Sequence, residues 1–193
     1  MKETFPIPEA TKTQVEKREK PAVLYHATRG ADIEEFEPRQ ESTRDPSEGP
    51  VVFATPDRAY AAQFLVPGDD RDSIRGYYND IPTIVIRSSR EDFEKNDSGG
   101  TVYEFPSDTF DFDPKQHMGK REWTSRKPVK PIGKTAYAST VDALIENGTQ
   151  VYFVDQVTFD EMRSQEDGGF ETLLTLTSEN ERRGKNIRKY KED

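Results

Sequence analysis

Three short segments carry the side chains best suited to chemistry: Tyr25-His26-Ala27-Thr28, Val51-Val52-Phe53-Ala54-Thr55-Pro56 and Arg121-Glu122-Trp123. They offer an imidazole, an aromatic ring flanked by aliphatic residues, and a carboxylate beside a guanidinium. An imidazole can bond a hydroxyl or carry a proton, a ring can stack on a planar ligand, and a carboxylate can stabilise a developing cation. Taken singly, each also has a structural reading: a satisfied histidine, a core phenylalanine, a surface ion pair of little energetic weight. Glu104, in Val102-Tyr103-Glu104-Phe105, is a rival carboxylate placed in mid-strand. Between the first two segments, the polar run 37–50 carries Arg39, Ser42 and Arg44 and reads as a ligand loop. Planar guanidinium groups in such a loop suit phosphate oxygens. Their structural reading is a solvated loop in an acidic protein. His117 stands in a polar loop near Glu122, and its simplest reading is no role. His26, His117 and the carboxylates show no metal-ligand spacing, so no metal site is expected.

The elements that must position these groups are short. Ala22–His26, Val51–Ala54, Ile81–Arg87, Thr101–Phe105, Arg121–Val129 and Gln150–Val154 read as strands. Thr101–Phe105 is expected to pair with Ile81–Arg87, and Arg121–Val129 to lie at a sheet edge or to finish early because Pro128 and Pro131 end it. Ala31–Phe36 suits a helical turn. A helix is expected from Thr55 as N-cap and Pro56 at its first position, passing through Ala59, Ala62, Phe64 and Leu65 to Pro67-Gly68. Gly68–Asp80 and Ser107–Met118 read as loops. Thr140–Asn147, with Val141, Leu144 and Ile145 as its stripe and Gly148 as its stop, is the clearest helix. Thr158–Gln165 reads as a further helix, and Leu173, Leu174 and Leu176 as closing the core. Strands outnumber helices and alternate with them irregularly, which predicts an α+β fold instead of a doubly wound βαβ series. No Gly-rich phosphate loop of either common type occurs.

The chain of 193 residues suits one domain with tails: an N-terminal arm 1–20, a body 21–178 and a basic C-terminal tail 179–193. Hydrophobic residues are 32% and charged residues 34%, a lean core; eight Tyr and eleven Phe argue against full disorder. The absence of Cys removes disulfides, thiol nucleophiles and Cys-based zinc sites. With no apolar run long enough to span a bilayer and no secretory signal, a soluble cytoplasmic protein without membrane partners is expected. A net charge of −9 argues against broad nucleic-acid binding. The tail, with Arg182, Arg183, Lys185, Arg188, Lys189 and Lys191, reads first as a solvated segment, then as a weak nucleic-acid contact or a clamp onto the acidic body.

In their order, the three segments resemble the ADP-ribosyltransferase superfamily, in its His–Tyr–Glu branch of poly-ADP-ribose polymerases and diphtheria-type toxins. The likeness spans roughly 22–132 with long gaps and rests on His26-Ala27-Thr28, on Val52-Phe53-Ala54-Thr55 leading into a helix, and on Glu122-Trp123-Thr124-Ser125. It departs at the family's tyrosine, where Val52 or Phe53 stands. The resemblance implies a split antiparallel β-sheet with short helices and NAD as substrate, in an NAD-dependent ADP-ribosyltransferase or NAD glycohydrolase. It implies Glu122 as the carboxylate beside the ribose, and His26 as the group holding the adenosine-side ribose. Tyr25 and Thr28 would hold the nicotinamide amide, Phe53 would stack with Tyr60 as a second ring, and Arg39, Ser42 and Arg44 would lie toward the pyrophosphate. The acceptor (protein, nucleic acid or water) is left open. The RNA 2′-phosphotransferases share that fold and a similar His-x-Thr strand, and are one alternative. A non-catalytic nucleotide- or protein-binding module, motivated by the missing tyrosine, is the other.

Overall fold

A computed structural model describes residues 19–30, 32–40, 49–68, 71–112, 121–165 and 168–185. The fold is α+β, with three small three-stranded sheets. Strands β1 (Val23–Thr28), β5 (Gly100–Pro106) and β8 (Gly133–Tyr137) form the first sheet, β5 being central and antiparallel to both neighbours. Strands β2 (Val52–Ala54), β7 (Trp123–Ser125) and β6 (Phe110–Phe112) form the second, with β7 central. The third contains β3 (Ser73–Tyr78), β4 (Ile81–Arg87) and β9 (Gln150–Val154); β4 is antiparallel to β3 and parallel to β9. One backbone pair joins the first two sheets: Tyr25 N–H donates to the Thr55 carbonyl at 2.7 Å, and Thr55 N–H donates back at 2.9 Å.

Several sequence expectations change here. Thr101–Phe105 does not pair with Ile81–Arg87, because β5 binds β1 and β8 while β4 binds β3 and β9. The run 121–129 finishes early, its strand β7 ending at Ser125, and it is central instead of an edge: β7 sits between β2 and β6, and Val129 pairs separately with Phe36. That pairing extends Phe36, so no helical turn forms there. Strand β3 occupies part of the expected loop 68–80, and β6 part of the expected loop 107–118. Strand β8 and helix α2 (Arg90–Lys95) are additions to the expected elements. Helix α1 (Arg58–Ala62) starts later than Thr55. Asp57 is its N-cap, accepting from the Ala59 and Tyr60 amides at 2.9 and 3.1 Å, while Thr55 is held in extended pairing with Tyr25. A short 3-10 turn (Gln63–Leu65) completes α1.

Strand alternation divides the core. On one side of β1 and β5, Ala27 and Val102 pack with Leu65 of the 3-10 turn, with Ile84 of β4 and with Val141 and Leu144 of α3 (Thr140–Glu146). On the other side, Leu24, Phe105 and Tyr103 pack with Val52, Ala54, Trp123 and Phe110. Val85, Tyr152 and Val154 bury the outer face of the third sheet under α4 (Gln156–Ser164) and α5 (Phe170–Thr175). Leu173 is buried there and Leu176 packs against the cluster, whereas Leu174 is exposed.

The chain stays part of the body beyond Ser178. Helix α6 (Glu179–Arg182) opens on a Ser178/Glu181 capping box, and Glu179 and Asn180 are buried. Arg183 reaches Glu179, Asp142 and Glu94. Arg183 thus ties this segment to Glu94 of α2 and Asp142 of α3. The remaining basic residues Arg188, Lys189 and Lys191, like residues 1–18 of the arm, lie outside the described residues.

Gly99 turns the chain into β5 with φ +64°, and an added Cβ would run into the Tyr137 carbonyl oxygen. Its amide donates to Asp97, whose other oxygen accepts from the Thr140 amide at the start of α3. Gly99→Ala therefore combines left-handed strain with a backbone clash. It should destabilise the protein by at least about 2 kcal/mol, read as a lowered thermal midpoint.

Candidate active site

His26 sits where β1 and β2 part. Thr55 directs both its amide and its carbonyl at Tyr25, so two residues earlier Phe53 directs its carbonyl toward β1 as well. A continued ladder would set Phe53 opposite Ala27. Instead the His26 ring takes that carbonyl, with Nδ1 2.8 Å from the Phe53 oxygen. A carbonyl only accepts, so Nδ1 carries the proton and Nε2 of the neutral ring is an acceptor. Phe36 packs edge-on against the ring at 5.1 Å and Phe105 stacks at 6.0 Å.

Burial lowers the His26 pKa from 6.5; the bond to Phe53 opposes this, and the charge of Arg39 adds to it. Arg39 is brought close by its backbone pairing with Val51. The sign of the linkage follows. Because the folded pKa is depressed, the neutral ring contributes stability above pH 6.5, and this is lost as pH falls through 6.5 toward the lower folded value. In a thermal scan from pH 7.5 to about 5.5, the wild type should lose more stability than His26→Asn, whose amide can still donate to Phe53 but does not titrate there. Equal slopes would show that His26 is not held neutral.

Glu122 adjoins the same junction. The β2–β7 register pairs Phe53 with Thr124 and Ala54 with Trp123. Continued by one residue, it sets Glu122 opposite Thr55, which pairs in turn with Tyr25. Tyr25 lies opposite Glu104 on β5, and Glu104 opposite Gly133 on β8. Alternation assigns Tyr25, Phe53, Thr55, Glu104 and Glu122 to the face covered by α1, and His26 to the opposite face with Leu24 and Ala54. Tyr25 and His26 thus serve different faces, and the His26 ring fills the place where β1 and β2 part.

Charged groups on the α1 face are arranged in sets that local sequence does not reveal. Arg58 binds Glu104 at 3.3 Å and Thr135 at 2.7 Å, and lies over the Tyr25 ring at 5.7 Å. The rival carboxylate Glu104 is therefore already paired. Nearer Glu122, the Tyr77 hydroxyl donates to Asp57 at 2.7 Å, and the Arg121 guanidinium lies over the Tyr77 ring at 3.9 Å. Burial first, then the bond to Asp57, pushes the Tyr77 pKa far up, so the phenol stays protonated. The adjacency of Arg121 to Glu122 was a sequence signal for this set. Tyr77 gave none, because its strand lay within an apparent loop.

Tyr60 is buried, stacked on Tyr77 at 5.5 Å and edge-on to Phe64 at 5.6 Å. Its ring supports Tyr77 and is already covered. The Thr28 hydroxyl accepts from the Gly30 amide at 3.2 Å. Phe53 and Glu122 are half-buried. Ser42, Arg44 and His117 lie outside the described residues. A cavity of about 190 Å³ lined by Arg29, Ser88, Phe93, Asn96 and Thr140, and one of about 430 Å³ lined by Arg90, Glu94, Ser139, Asp142 and Arg183, include none of these candidates. Among the described residues, no cluster of His, Asp and Glu is arranged to hold a metal, and no helix is long and apolar enough to cross a membrane.

Comparison with protein-family models, with curated proteins and with solved structures found no match.

Proposed function

We propose that this chain is an NAD-dependent ADP-ribosyltransferase or NAD glycohydrolase built on a split sheet of the ADP-ribosyltransferase kind. The observation that carries the reading is the junction itself. Among the described residues the first two sheets meet through one Tyr25–Thr55 pair, His26 sits beside it, and the β2–β7 ladder ends at Ala54–Trp123, one residue short of Glu122. A ligand bound at this junction would meet an imidazole acceptor from one face and a carboxylate from the other.

The chemistry asks little more. The bond between nicotinamide and ribose breaks with its electron pair leaving on nicotinamide, and positive charge builds on the ribose. Glu122 would accept a hydrogen bond from the ribose hydroxyl and oppose that charge. The neutral His26 ring, its tautomer set by Phe53, would accept from a ribose hydroxyl at Nε2 without moving a proton. Phe53 would supply the stacking ring, and it lacks the hydroxyl of the family's tyrosine. The acceptor, a water or another nucleophile, then bonds to the anomeric carbon and releases its proton.

The test is release of nicotinamide from NAD by the purified protein, beside Glu122→Gln. Release by wild type and its loss in the variant is the expected result. Tight NAD binding by wild type without release, with or without a labelled acceptor, would leave a binding module in place of an enzyme.

A further inference from the structure

Arg121 is held over a ring, and among the described residues its side chain makes no hydrogen bond. Its guanidinium carbon lies 3.9 Å from the centre of the Tyr77 ring, and that ring is backed by Tyr60 and tethered through its hydroxyl to Asp57. The ion pair from Arg121 Nη1 to Asp57 spans 3.9 Å, beyond hydrogen-bond reach, and the side chain is 39% exposed. Among the described residues, none of its N–H groups meets an acceptor. Arg58 makes the contrast: its Nη1 and Nη2 are committed to Glu104 and Thr135. A stacked guanidinium presents its donors along its edge in a fork that matches two oxygens of one anion. Asp57 offsets part of the charge and cannot satisfy the fork at that distance.

We infer that Arg121 is the phosphate-binding residue of this site, taking oxygens of the dinucleotide pyrophosphate, with Tyr77 and Asp57 as its positioning residues. The inference rests on the reading of Glu122 given above, because a group that engages the ribose next to nicotinamide has the 5′-phosphate of that ribose as its nearest anion. It moves the pyrophosphate contact from the loop arginines onto the residue preceding Glu122. Arg39 instead acts on His26 through its charge.

The test is calorimetric titration with ADP-ribose, which carries the pyrophosphate but cannot lose nicotinamide, and with adenosine, which has no phosphate. Arg121→Gln should weaken ADP-ribose binding by about 10- to 100-fold, the worth of hydrogen bonds to a charged group, and leave adenosine binding unchanged. Arg121→Lys, which keeps the charge and loses the fork, should fall between. Tyr77→Leu, which keeps Arg121 and removes its platform, should lose ADP-ribose affinity in the same direction. Equal ADP-ribose affinity in wild type and Arg121→Gln overturns the inference and leaves the proposed function standing. Equal weakening of both ligands also overturns it, because the effect would then not be on phosphate. Failure of the wild type to bind either ligand overturns the inference and the proposed function together.

Discussion

Glu122→Gln is expected to slow nicotinamide release from NAD on the order of 10²- to 10³-fold, the usual loss when one preorganised electrostatic partner of a transition state is removed. Glutamine keeps the shape of the side chain and an oxygen that accepts hydrogen bonds, so NAD binding should change little. What disappears is the negative charge, which matters most when the ribose is most positive. The loss should therefore appear in kcat with little change in KM. Glu104→Gln is the informative partner. Its carboxylate is paired with Arg58 and lies one strand beyond Tyr25, so its charge is largely cancelled where it stands. Glu104→Gln should retain most of the turnover. The reverse pattern, with Glu104→Gln inactive and Glu122→Gln active, would transfer the catalytic role to Glu104.

Asn180→Leu should cost about 3–5 kcal/mol of stability, far more than a change in a solvated tail. The Asn180 side chain completes the edge of β9: its Oδ1 accepts from the Val151 amide at 2.9 Å and its Nδ2 donates to the Thr149 carbonyl at 3.1 Å. Both bonds are buried, and Asn180 itself is 1% exposed. Leucine has the same branching and number of side-chain heavy atoms, but it is bulkier and leaves a donor and an acceptor without partners, each costing about 1–3 kcal/mol. At roughly 2–4 °C per kcal/mol for a chain of this size, the thermal midpoint should drop by about 6–20 °C. Because Asn180 touches none of the site residues, NAD binding at low temperature should persist. A midpoint within about 1 °C of wild type would show that the segment after Ser178 does not stabilise the body.

Local pattern along the chain does not reach this far. Basic residues outnumber acidic ones after Glu179, and charge runs are usually solvated. Asn180 is held by Thr149 and Val151, far back in the chain, which no local pattern announces. Strand β3 was hidden for a related reason. Ser73-Ile-Arg-Gly-Tyr-Tyr78 has no apolar alternation, and it is a strand because β4 offers it a ladder. The true cap of α1 was displaced likewise. Thr55 and Asp57 both suit an N-cap, and pairing of Thr55 with Tyr25 decides for Asp57.

By itself, the sequence determined the α+β class, strands near 22–26, 51–54, 81–87, 101–105 and 150–154, and the helix before Gly148, and it singled out His26, Phe53 and Glu122 as candidates. These follow from β-branched runs, helix caps and side-chain chemistry, all local properties. Only the tertiary structure decided that β1 and β2 join through a single pair and then part around His26. It also decided that Glu104 is taken by Arg58 and that Arg121 lies over the Tyr77 ring. Each of these depends on which strands exchange hydrogen bonds, and such pairing is set by long-range packing that short segments do not encode.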